Sequence, residues 1–243
     1  MDMTEAYSTI PARDLLRRVE CQAVIFDMDG VLADTEEFHL EAWIELVRDH
    51  SLEAASEEAT EQGISNGMLE LIRTTFGQSN DTIIPLLWEK AGCAIGEELA
   101  NLSREKEACY RSCARGRVRP MPGIEAFLLL LAEENIPAAI GTSGPEENVS
   151  FLLDEFSWSG HFSSLVHRER FENGKPAPDC FLKAAEDLDC DPGRTIVFED
   201  SLHGLEGAQT GGFLPAAIAS THKPEELTNT ARWVFRDFLD LSC

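Results

Sequence analysis

Two aspartates one residue apart, Asp27 and Asp29, stand directly behind the apolar run Ala23-Val24-Ile25-Phe26 and just ahead of Gly30. The run is β-prone, and side chains alternate along a strand, so both carboxylates can project past its tip toward one point. Gly30 then lets the chain turn. Two like charges that close repel, and a divalent cation between them would remove the repulsion. The same residues also suit a solvated turn, so this segment alone supports either reading.

Three later strand-like runs also end in polar chemistry. Gly141-Thr142-Ser143-Gly144 offers a hydroxyl at a strand tip, followed by amides that can face an anion. The alternative there is a turn with an N-capping Thr or Ser. In Gly174-Lys175-Pro176-Ala177-Pro178-Asp179 two prolines brace a lone lysine, which is either a solvated surface charge or a deliberately positioned one. Phe198-Glu199-Asp200-Ser201 brings a second acidic pair, where Asp200 or Ser201 could instead cap the helix of Leu202–Thr210. Taken together, the four segments put carboxylate pair, hydroxyl, lysine and carboxylate pair at four strand ends. A parallel sheet gathers such ends on one edge.

The elements that must position them follow from periodicity. Apolar, β-branched runs recur at Ala23–Phe26, Ala138–Ile140, Leu165–Val166, Thr195–Phe198, Ala216–Ile218 and Trp233–Phe235. Helix-like segments lie between the later ones, at Ile124–Glu134, Glu147–Phe156, Pro178–Leu188 and Leu202–Thr210. The alternation predicts an α/β fold with a Rossmann-like parallel sheet covered on both faces. About a hundred residues separate the first two strands, far more than one crossover helix needs. This insert has helical periodicity and opens with a plausible capping box, Asp34 with Glu37. It closes at Pro120-Met121-Pro122-Gly123. The expected organisation is an N-terminal extension over 1–20, an α/β core over 21–34 and 120–243, and an all-helical second domain over 35–119. Because ligands bind at the carboxyl edge of open α/β sheets, the insert is expected to roof the Asp27/Asp29 site.

Bulk properties narrow the partners. The 243 residues are 43% hydrophobic and 26% charged, an ordinary globular composition with room for a sizeable core. A net charge of −24 argues against nucleic acid and anionic membrane, which call for clustered Lys and Arg. An anionic substrate therefore needs a locally positive site. Seven scattered cysteines without a CxxC pair read as reduced thiols of a cytoplasmic protein. The longest apolar run, Ala126–Ala132, is far too short to span a bilayer. A monomer is expected, with a homodimer as the alternative.

DMDGVLADT, GTSG, GKPAPD and FEDS together resemble the four motifs of the haloacid dehalogenase superfamily, from Ala23 to about Phe213. The helical insert after the first motif is similar to the subgroup of β-phosphoglucomutase and sugar-phosphate phosphatases. The resemblance implies phosphoryl transfer through an aspartyl-phosphate, with Asp27 as nucleophile and Asp29 as general acid and base. It implies that Asp27, the Asp29 carbonyl and Asp200, with Glu199 close by, hold Mg2+. Lys175 would neutralise the nucleophile and a phosphate oxygen, while Thr142 and the Ser143 amide bind the remaining oxygens. True dehalogenases lack the second aspartate and the acidic pair, so Asp29 and Glu199-Asp200 favour phosphate over halide.

The resemblance reaches into the insert with less unanimity. Thr35 and His39 match residues that assist closure of the mutase's cap and its acid/base aspartate, and Lys106 with Tyr110 matches a pair pointed at substrate. His39 and Trp43 are equally an ordinary i, i+4 helix pair, and Lys106 an exposed charge in a basic run. Asn66 stands where the mutase carries an arginine for the far phosphate of a bisphosphate. Glu146 and Glu147 follow Thr142-Ser143 where basic and polar residues would be needed, and acidic groups repel a second phosphate. The expected activity is hydrolysis of a small phosphate ester, with a hexose-phosphate mutase as the alternative and a non-catalytic relative as a third reading.

Overall fold

In a computed structural model, residues 7–52, 60–61, 63–75, 78–96 and 98–241 are described. Along the chain run α1 (Ala12–Arg18), β1 (Ala23–Phe26), β2 (Ala33–Asp34), α2 (Glu36–Asp49), α3 (Asn66–Thr74), α4 (Asn80–Ala91) and α5 (Leu99–Ala114). Then follow β3 (Arg119–Pro120), α6 (Ile124–Glu133), β4 (Ala138–Gly141), α7 (Glu146–Phe156), β5 (Ser164–Val166) and α8 (Asp179–Leu188). The chain finishes with β6 (Thr195–Glu199), α9 (Leu202–Thr210), β7 (Leu214–Ile218), α10 (Pro224–Leu227) and β8 (Trp233–Phe235). Each of the six apolar runs is a strand.

The chain divides into two compact units, Met1–Asp34 with Arg119–Cys243, and Thr35–Val118. In the first, six parallel strands lie in the order β5-β4-β1-β6-β7-β8. β1 is therefore central, between β4 and β6, and all four of its residues are buried. A strand covered on both faces must be apolar throughout, and Ala23-Val24-Ile25-Phe26 meets that demand. Phe26 stacks on Phe198 at 5.5 Å between ring centroids, and Phe127 meets Phe198 edge-on at the same separation. This aromatic packing fixes the ends of β1 and β6, the two strands that lead into acidic pairs.

α1 falls in the N-terminal stretch. Its Leu15 and Leu16 are buried, and Arg13 pairs with Glu133 at the end of α6. β2 and β3 form a short antiparallel ribbon, Asp34 opposite Arg119, where the chain leaves the first unit and returns to it.

That ribbon overturns one expectation. Asp34 is a strand residue and does not cap α2; Thr35 occupies the N-cap position, without a side-chain cap hydrogen bond. Pairing with Arg119 draws Asp34 into extended backbone, so the Asp34/Glu37 capping box does not form.

The second unit contains α2 to α5 around its own apolar core, in which Trp43, Val47, Ile72 and Leu87 are buried. α2 and α5 pack together, and Arg117 just beyond α5 donates to both carboxylate oxygens of Glu41 on α2.

Candidate active site

The backbone amide of Asp27 donates to the carbonyl of Phe198 at 2.9 Å, continuing the β1–β6 ladder one residue beyond the strand. Asp27 is thereby held at the strand tip and buried. The chain then reverses tightly: the Gly30 amide donates to the Ala33 carbonyl, and the amides of Leu32 and Val31 return to the Met28 carbonyl. Gly30 has φ +69°. A Cβ at that position would lie 2.2 Å from Asp200 Oδ2, so both the turn and the neighbouring carboxylate require glycine.

Lys175 ties the site together. Its Nζ donates to Asp27 Oδ1 and to Glu199 Oε1, each at 2.6 Å, and its side chain is 8% exposed. The loop that carries it is closed by Asp179, whose Oδ2 accepts from the Asn173 amide and side chain. Glu199, the last residue of β6, is wholly buried. Its Oε2 accepts from the Ser201 amide at 2.7 Å and from Ser201 Oγ at 2.9 Å, and Ser201 in turn caps α9 through the Gly204 amide. Both Glu199 oxygens are thus engaged by protein donors. Space for that carboxylate exists because residue 204 is glycine: a Cβ there would sit 1.8 Å from Glu199 Oε1.

Asp27, Glu199 and Asp200 bring carboxylate oxygens within 4.8 Å of one another, all buried. Burial, with Glu199 and Asp29 adding like charge, raises the Asp27 carboxyl to about 7 despite the opposing pull of Lys175. Asp27 is therefore not the freely ionised carboxylate that its ordinary value of about 3.9 implies. Asp200 is pushed well above the carboxylate range by burial and by Glu199 and Asp27. Lys175 loses affinity for its proton through burial, but Asp27 and Glu199 more than offset this and hold it protonated. With all three carboxylates ionised, one lysine would leave negative charge uncompensated, and every carboxylate ligand atom in the set is oxygen. Those properties suit a hard divalent cation such as Mg2+ and disfavour zinc.

Thr142 lies one strand away, at the end of β4, with its amide on the Val166 carbonyl. Its buried hydroxyl accepts from the Gly144 amide at 3.0 Å, which shapes the turn containing Ser143. Glu146 and Glu147 are exposed in the first turn of α7, and the Glu146 amide donates to Glu169. Of the residues singled out by sequence, Asp27, Lys175, Glu199 and Asp200 meet directly. Thr35, His39 and Lys106 belong to the second unit.

Within that unit, Lys106 is not an exposed charge. It is 3% exposed, and its Nζ meets His39 Nδ1 at 2.7 Å and Glu107 Oε1 at 2.9 Å. The Nζ also lies 4.8 Å from the Trp43 ring, and His39 stacks on Tyr110 at 3.8 Å. Apolar aromatic walls remove this lysine from water, so it takes both polar partners within reach.

Sequence reasoning missed Thr221, which donates from Oγ1 to Asp200 Oδ2, and Ser220, which donates to the Gly30 carbonyl. It also missed Gly204. The only available signal was that Ser220 and Thr221 follow the end of a strand in the same sheet.

A family model described as haloacid dehalogenase-like hydrolase matches residues 21–212. The chain belongs to that family. It is accordingly an enzyme, and its relatives bear the names of phosphatases and of a β-phosphoglucomutase. A phosphorylated carbohydrates phosphatase of Thermotoga maritima is 28% identical, over 88% of this chain and 99% of its own. A fructose-1-phosphate phosphatase of Escherichia coli is 29% identical, over 78% of this chain and 92% of its own. Among solved structures, a family IA, variant 3 hydrolase of Entamoeba histolytica superposes with a TM-score of 0.77 at 25% identity, covering 91% of this chain and 95% of that one.

Proposed function

We propose that this chain is a Mg2+-dependent phosphatase of a small phosphorylated metabolite, in the first instance a sugar phosphate, working through an aspartyl-phosphate. The observation that carries the reading is Lys175 Nζ held between Asp27 and Glu199 beside Asp200, at the carboxyl edge of the sheet. Asp27, the Asp29 carbonyl and Asp200, with Glu199 behind them, would hold the cation. When bound, it offsets the charge of the phosphate and favours the ionised form of Asp27.

Asp27 attacks phosphorus, an Asp27–phosphorus bond forms, and the bond to the substrate oxygen breaks. Asp29 gives its proton to the departing alkoxide. Lys175 neutralises charge on Asp27 and on a phosphate oxygen, while Thr142 and the Ser143 amide hold the other oxygens. Asp29 then removes a proton from water, the hydroxide attacks phosphorus, and release of phosphate restores Asp27. Thr35, His39 and Lys106 would serve substrate binding, a role carried over from the family resemblance. The protein acts as a monomer or homodimer in a reducing cytoplasm, in keeping with six free cysteines among the described residues.

A hexose-phosphate mutase is the second reading, favoured by the His39, Lys106 and Tyr110 cluster. Glu146, Glu147 and Glu169 weigh against it, because they place negative charge where a second phosphate would be gripped. A phosphorus NMR time course with Mg2+, β-glucose 1-phosphate and a trace of glucose 1,6-bisphosphate separates the two. Hydrolysis releases free phosphate, whereas the mutase yields glucose 6-phosphate with little phosphate. If neither signal changes across a panel of sugar phosphates, the proposal fails for that substrate class.

A further inference from the structure

We infer that the loop after β7, through Ser220 and Thr221, is a positioning element that aims the cation-binding groups of this site. The inference rests on reading the Asp27/Glu199/Asp200 cluster as a cation site, and it concerns residues outside that cluster and outside all four sequence motifs.

Two consecutive hydroxyls of the loop reach two different arms of the cluster. Ser220 Oγ donates to the Gly30 carbonyl at 2.6 Å, and Thr221 Oγ1 donates to Asp200 Oδ2. The first contact pins the reversal that follows Asp29, whose own carbonyl is the expected backbone ligand. The second fixes the rotation of the Asp200 carboxylate about its side-chain bonds. An aspartate at a strand tip can otherwise turn its oxygens several ways. A donor on one oxygen holds the carboxylate in one rotation, as outer hydrogen bonds to metal-binding carboxylates do.

The two arms meet where there is no side chain. A Cβ on Gly30 would lie 2.2 Å from Asp200 Oδ2 and 3.0 Å from Ser220 Oγ, so the turn, the carboxylate and the loop are in close contact at one point. The loop itself is firmly mounted. Its first residue, Ala219, donates its amide to the Phe235 carbonyl of β8 at 2.8 Å. Its far end enters α10, where the Lys223 amide donates to Glu226 Oε2 at 3.0 Å. A loop braced at both ends can impose a direction on its partners.

The test is Mn2+ binding to the full chain without substrate, followed by the electron paramagnetic resonance signal of free Mn2+, with Asp200→Asn as the reference for a lost site. Outer hydrogen-bond partners of metal ligands are worth about 10–100-fold in affinity, so Thr221→Val is expected to raise the Mn2+ Kd about tenfold. Thr221→Ser, which keeps the hydroxyl, is expected to restore wild-type affinity. Ser220→Ala gives the same reading from the other contact, and Thr221→Ala does so by full truncation, with circular dichroism confirming the fold of each variant. Mn2+ affinity unchanged in every folded variant overturns the inference. Wild type binding no more Mn2+ than Asp200→Asn overturns the cation site itself. Normal Mn2+ binding without turnover of any phosphate ester would instead count against the phosphatase reading alone.

Discussion

Lys175 Nζ lies 2.6 Å from Asp27 Oδ1, joining residues 148 positions apart in the chain. Lys175 is the cation within hydrogen-bonding distance of both Asp27 and Glu199. Asp27 is thereby positioned and its charge partly offset, while the rest of the acidic charge in the cluster calls for a further cation. Four testable consequences follow from this arrangement and from its surroundings.

Asp27→Asn is expected to abolish turnover, since the amide cannot form the phosphoenzyme. Asp29→Ala should still form it, but about 10²–10⁴-fold more slowly, the range usual for loss of a general acid or base. Acid-quenched single-turnover experiments with labelled phosphate ester check both. Full activity in purified Asp27→Asn, after deamidation has been excluded by mass spectrometry, would sink the scheme.

Lys175→Met leaves Asp27 and wholly buried Glu199 without their cation. Removing one partner of a buried ion pair costs about 3–5 kcal/mol, so the metal-free variant should unfold at clearly lower urea concentration than wild type. Its turnover should fall by about 10²–10³, as for loss of a major charge-stabilising donor. A denaturation midpoint equal to that of wild type would show that the lysine is not a buried counter-ion.

The pH dependence of stability carries a definite sign. Without metal, the Asp27 carboxyl sits at about 7, above its ordinary value, because burial disfavours its charged form. A raised acid contributes stability that is full below its unfolded value of about 3.9 and is lost as pH rises through about 7. In metal-free protein, the stability of wild type relative to Asp27→Asn should therefore decline from pH 4 to pH 8. Added Mg2+ should flatten that decline, with its largest increment in melting temperature on the alkaline side. Parallel pH profiles for the two metal-free proteins would contradict the assignment.

Gly204→Ala tests whether the space around Glu199 is used as described. The added methyl would overlap Glu199 Oε1, displacing the carboxylate that holds Lys175. Overpacking of this kind costs about 1–3 kcal/mol, and turnover should fall along with stability. Gly160→Ala, where a Cβ meets nothing within 4 Å, provides the control. Equal melting temperatures and rates for the two variants would remove the steric argument.

Much of the fold was legible because local chemistry and global placement agree. The six strands are short apolar runs, and a strand buried on both faces can be nothing else. Ile124–Glu133 and Leu202–Thr210 likewise follow from helical spacing and the residues that end it. The Asp34/Glu37 capping box misled because residue 34 is claimed by a ribbon partner 85 positions later, a pairing that local propensity cannot register. The alternative of an exposed Lys106 fails for the same reason: its neighbours in sequence are charged, but the side chain is buried against His39 and Trp43 from α2.

By itself the sequence determined the residue types at three strand ends and, with Lys175, in the long loop after a fourth strand, β5, and a parallel sheet brings such segments to one edge whatever the details of packing. That much specified Asp27, Lys175, Glu199 and Asp200 as a group. Only the tertiary structure decided how they divide the work. It set Glu199 on Lys175 and Ser201, sank Asp27 far enough to raise its pKa, and brought Thr221 onto Asp200 from a separate loop. The physical reason is that strand-end membership is a property of hydrophobic patterning along the chain. Hydrogen-bond partners and burial depend on distances between segments far apart in sequence, and those distances exist only once the sheet has formed.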